Sequence, residues 1–114
     1  MTTDTRTRYN GWATYETWLY ARWLDNERGS SEYWTERAEC LWADRDEDEP
    51  ADEQSTHARI ALAAELDAAA EENQPTVSGV WQDWLTTARQ AVDWFEVADH
   101  YLSEMDGYVG QKAA

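Results

Sequence analysis

Asp44, Asp46 and Asp48 stand at alternate positions, as the first oxygen ligands of a calcium-binding loop do. The pattern then fails. Glu49 occupies the sixth position, where the sharp turn needs glycine, and Ser55 the twelfth, where a bidentate glutamate belongs. His57 and His100 each follow a carboxylate by four residues, Glu53 and Glu96, a spacing that suits helix-surface pairs. It fits neither the Glu-x-x-His ligands of di-iron bundles nor an H-E-x-x-H zinc site. One cysteine, Cys40, and scattered serines lack the frame of a nucleophile elbow, and the five glycines never cluster ahead of a helix to cradle phosphate. No catalytic, metal or cofactor constellation emerges, and a non-enzymatic protein is expected.

What remains is charge and aromatic surface. The chain of 114 residues carries 24 acidic against 9 basic residues, a formal net charge of −15. Seven carboxylates fall between residues 44 and 53: Asp44, Asp46, Glu47, Asp48, Glu49, Asp52 and Glu53. Such a field repels nucleic acid and anionic lipid and attracts basic surfaces, so direct nucleic-acid or membrane binding is not expected. The alternative meaning of the charge is solubility, or adaptation to a salty cytoplasm. With no basic-then-apolar leader and no long apolar run, a cytoplasmic protein is expected.

The elements that must position these residues are helices. Residues 1–8 have no apolar periodicity and read as a tail, and residues 107–114 as another, around a single helical domain over 9–106. Thr14 caps a helix through Asn26, with Trp12, Tyr15, Leu19 and Trp23 as one stripe and Gly29 as a stop. Ser30 or Ser31 caps a second to about Asp44, facing inward with Trp34, Ala38, Leu41 and Trp42. Cys40 reads as a small buried hydrophobe there. The acidic run follows as an exposed, mobile connection, and helix resumes after Ser55 to end at Asn73–Pro75.

A break near Val92 and Asp93 divides the last region in two. Asp93-x-x-Glu96 forms a capping box, and Val92 and Val97 occupy the places of a hydrophobic staple. Upstream, Trp81, Trp84, Leu85, Ala88 and Val92 make one face; downstream, Trp94, Val97, Ala98, Tyr101, Leu102 and Met105 make the next, with Gly107 as its end. The expected fold is all-α, a bundle of about five helices. Core roles fall to Trp12, Tyr15, Trp23, Trp34, Trp81 and Trp84, each on a helix stripe, whereas Trp18 and Tyr20 lie off the stripe and are the aromatic candidates for partner binding.

The stretch YNGWATYETWLYARWLDN, Tyr9 to Asn26, resembles the N-terminal signature of a group of small, acidic, mostly uncharacterised proteins carried by bacteriophages, plasmids and archaeal elements. The residues that match are Asn10, Gly11, Trp12, Tyr15, Glu16, Thr17, Trp18, Trp23, Asp25 and Asn26. DWFEVADHYL, Asp93 to Leu102, is similar to the C-terminal helix of the same group. Together the two segments cover about a quarter of the chain. The resemblance implies a setting, a mobile element inside a prokaryotic host, and no activity.

In that setting an acidic helical protein suggests an anti-CRISPR or antirestriction inhibitor. Its expected partner is a host defence complex with a basic nucleic-acid channel, blocked sterically or by DNA mimicry. The expected contacts are the seven carboxylates of the acidic run, with Trp18 and Tyr20 in support. The competing expectation is an adaptor or regulator, a homodimer that buries the surplus aromatics of the first helix.

Overall fold

The computed structural model describes residues 9–110; the expected tail over 1–8 and residues 111–114 lie outside the described residues. Five helices follow in order: α1 Tyr15–Asn26, α2 Arg28–Ala43, α3 Ala51–Asn73, α4 Val80–Gln90 and α5 Trp94–Leu102. The architecture is all-α, and the lone β-type pairing among the described residues is the bridge between Tyr9 and Trp12. That bridge closes a tight turn in which Asn10 and Gly11 both take positive φ, 49° and 88°. An Asn-Gly pair reaches this conformation with little strain, and it delivers Trp12 to the start of α1.

Thr14 caps α1 as expected, its Oγ1 accepting from the Thr17 amide at 3.0 Å. The second helix departs from expectation. Only Glu27 separates α1 from α2, so Gly29, Ser30 and Ser31 lie inside α2 rather than before it. Burial of Trp34, Ala38 and Trp42 outweighs the stop and cap signals there. α3 likewise starts earlier than Ser55: Pro50, at φ −58°, leads into it, and Asp52 and Glu53 of the acidic run form its first turn, where carboxylates favour the helix N-terminus. Ser55 is buried in the second turn of α3, donating to the Ala51 carbonyl at 2.9 Å.

α3 is the spine. α2 returns along it antiparallel, fixed by the two-pronged Arg37–Glu65 contact at 2.8 Å for each bond. α5 packs against both α3 and α2, with Arg59 of α3 reaching Asp99, and the end of α4 meets α3 through Arg89 and Asp67. α1 lies beside α5 in the same direction. The core holds Ala21 of α1, Trp34, Ala38 and Trp42 of α2, Leu62 and Leu66 of α3, and Val97, Ala98, Tyr101 and Leu102 of α5. The molecule is flat, 49 × 40 × 22 Å, and its short axis is about two helix diameters. No helix among the described residues is long and apolar enough to cross a membrane.

One half of the predicted capping box forms at α5, and both staple positions are buried. Asp93 caps the helix by accepting from the Glu96 amide at 3.2 Å, and Val92 and Val97 are both buried. The reciprocal half of the box is replaced: the Asp93 amide donates to Thr17 Oγ1 at 2.8 Å, while Glu96 Oε1 accepts from the Ala13 amide at 2.7 Å. α5 stops at Leu102, before Gly107. Gly107, at φ 85°, instead turns the chain so that Tyr108 packs edge-on against Trp42 with ring centroids 5.6 Å apart. The segment expected to begin a tail at 107 is therefore docked through Gly110, its Val109 amide donating to Ser55 Oγ at 2.8 Å.

Candidate functional site

The acidic connection between α2 and α3 is a tied turn. Arg45 donates to the Trp42 carbonyl at 2.6 Å and to Gln54 Oε1 at 2.9 Å, with its guanidinium 4.3 Å from the centre of the Trp42 ring. Gln54 reaches back to the Glu49 carbonyl at 2.5 Å, and Asp46 accepts from the Asp48 amide at 3.0 Å. Asp44, Asp46, Glu47, Asp48, Asp52 and Glu53 are exposed, and Glu49 is partly covered. Arg45 sits 3.6 Å from Glu47, and Glu49 accepts His57 at 2.9 Å. His57 thus pairs with Glu49, not with Glu53. No group of three or more His, Cys, Asp or Glu side chains able to hold a metal ion occurs among the described residues.

Trp18 and Tyr20 do not share a face. Two residues apart on a helix, they point about 200° from each other. Trp18 packs with Tyr9 and Tyr15 at 4.9 and 5.7 Å, and Arg22 lies 5.3 Å over its ring. Tyr20 is half-buried against Trp94 at 5.1 Å, and burial raises the pKa of its hydroxyl. The acidic turn begins at the far end of α2 from its junction with α1, about 24 Å along the 16-residue helix. The expected contact residues therefore occupy three places.

Tyr15, Trp23, Trp81 and Trp84, expected in the core, are 47%, 67%, 60% and 62% exposed. Cys40 is exposed as well. A slab two helices thick has one apolar interior, and Trp34 and Trp42 with the α3 leucines already fill it. α4 keeps its apolar stripe but buries none of its residues. Between α1, the end of α3 and α4 runs a groove of about 460 Å³ lined by Leu19, Tyr20, Trp23, Ala70, Leu85 and Ala88, among others. Sequence periodicity marks these stripes as apolar faces without saying what covers them. The one available sign was the number of indoles, more than a chain this short encloses.

His100 also departs from its expected partner. Its Nε2 lies 2.9 Å from Asp25, whose other oxygen accepts from the Tyr101 hydroxyl at 2.8 Å. Burial, and secondarily Asp25, pushes the Tyr101 pKa well above the ordinary tyrosine value. The imidazole packs edge-on against Trp12 at 5.4 Å. The pair ties α1 to α5.

Among known proteins, no family model matches the chain, and no curated protein or solved structure is significantly similar to it.

Proposed function

We propose that the protein is a non-catalytic, mobile-element-encoded inhibitor of a host nucleic-acid-binding defence complex, an anti-CRISPR or antirestriction protein that occupies a basic channel sterically or as a DNA mimic. The observation that carries this reading is the acidic turn. Its carboxylates are mostly outward: Glu47 and Glu49 have basic neighbours in Arg45 and His57, while Arg37, Arg59 and Arg89 are committed to contacts with Glu65, Asp99 and Asp67. A turn tied by Gln54 and Arg45 holds negative charge in place before a partner arrives, which lowers the ordering cost of binding. The charge also steers approach to a basic surface.

The test is a pull-down of tagged protein from host lysate at low and high salt, repeated with Asp44→Lys/Glu47→Lys/Asp48→Lys. Salt-sensitive capture of a restriction or CRISPR subunit, lost in the triple variant, supports blockade. Capture indifferent to both changes removes charge mimicry.

A second reading, a non-enzymatic adaptor or regulator whose acidity serves solubility, is favoured by the exposed indoles of Trp23, Trp81 and Trp84. A purely electrostatic blocker has no use for them.

A further inference from the structure

We propose that the face formed by α1 and α4 is a self-association surface, occupied by a second copy of this chain. The inference is independent of which reading above holds.

The face combines a hollow and a ridge. The 460 Å³ groove lies beside Trp81 and Trp84, whose rings pack edge-on at 5.1 Å, on the stripe that continues into Leu85 and Ala88. Two copies related by a two-fold axis seat the ridge of one in the groove of the other, as an isologous contact requires. α4 has 11 residues, too few for an isolated helix to be stable in water, and helices of this length draw their stability from a covered apolar face. Among the described residues nothing buries any part of α4.

Area and charge favour a second copy over other occupants. At a full side-chain area of about 250 Å² each, the exposed fractions of Trp23, Trp81 and Trp84 leave roughly 470 Å² in water. With Val80 and the groove walls, the face approaches the roughly 600 Å² per partner at the lower end of specific interfaces. Glu16 and Arg89 are the charged residues in the groove lining, and Arg89 is already paired with Asp67 at 3.4 Å. The groove is therefore nearly neutral on a chain of net charge −15. A basic partner is drawn toward the acidic turn, whereas another acidic copy approaches most easily where carboxylates are sparse.

Sedimentation velocity and light scattering across roughly 1–100 μM protein test the proposal, with circular dichroism confirming that each variant keeps its helices. The wild type is expected to dimerise, and more tightly as salt rises, because the contact is apolar and the copies repel. Trp84→Ala is expected to weaken the dimer about thirtyfold or more, and Trp81→Glu/Trp84→Glu to leave a folded monomer. Trp23→Ala, on the opposite wall, is expected to weaken the dimer too. A wild type that stays monomeric at the highest concentration overturns the proposal, and so does a dimer that persists in the double glutamate variant.

Discussion

The Tyr101 hydroxyl donates to the Asp25 carboxylate at 2.8 Å, joining residues 76 positions apart and locking the end of α1 to α5. Tyr101 is buried, so its hydroxyl needs that acceptor. Asp25→Ala is expected to destabilise the fold by about 1–3 kcal/mol, because the phenol is left unpaired. Tyr101→Phe removes the need together with the bond and is expected to cost less, about 1 kcal/mol. Urea unfolding of both variants checks the order.

Thr17 links the two capped helices. Its hydroxyl accepts from the Asp93 amide and lies 2.7 Å from Thr14 Oγ1. Because the Thr14 hydroxyl proton is given to the Ala91 carbonyl, Thr17 donates to Thr14. Thr17→Val keeps the shape and strands the Asp93 amide; a loss of about 1–3 kcal/mol is expected in thermal or urea unfolding, with Thr17→Ser retaining more of the stability.

Alkali is expected to unfold the protein in a defined direction. Tyr101 and Tyr108 ordinarily ionise at 10.0, but burial first, and Asp25 and Asp99 second, raise both in the fold, with Arg59 opposing at Tyr108. Above pH 10 the unfolded chain releases these protons while the native state holds them. The stabilisation is thus complete below pH 10 and is lost as pH rises beyond it. Urea midpoints measured from pH 8 to 11 should be flat and then fall, and Tyr101→Phe should fall less steeply.

Truncation after Gly107 removes the Tyr108 ring from Trp42, its hydroxyl from Arg59 and Asp99 at 2.7 Å each, and the Val109 amide from Ser55. A loss of about 2–4 kcal/mol is expected from the exposed apolar area and unpaired groups. A truncated chain that melts with the full one would show that the docked segment contributes nothing.

Salt is expected to stabilise the monomer fold, since carboxylate repulsion is screened. The melting temperature should rise by a few degrees between low and high NaCl. Asp44→Lys/Glu47→Lys/Asp48→Lys should flatten that rise without lowering the melting temperature at low salt. A melting curve indifferent to salt would mean that the acidic turn carries no strain.

Local physics made much of this protein legible in its sequence. The caps at Thr14 and Asp93 and the break between α4 and α5 are set by side chains within a few residues of each other, and helical periodicity alone yields five helices. The start of α2 at Arg28 was not legible, because Gly29, Ser30 and Ser31 are weak local signals that burial of Trp34, Ala38 and Trp42 overrides. Nor were the partners of His57, His100 and Glu96, since helix spacing offers neighbours four residues away while the fold offers Glu49, Asp25 and the Ala13 amide.

The placement of the aromatics belongs to tertiary structure as well. Trp34 and Trp81 both stand on apolar stripes, yet one is enclosed and the other faces water. A stripe fixes which side of a helix is apolar; how many layers the helices form decides which stripes are covered. Here two layers were formed around α3, and α4 was left with its apolar side open.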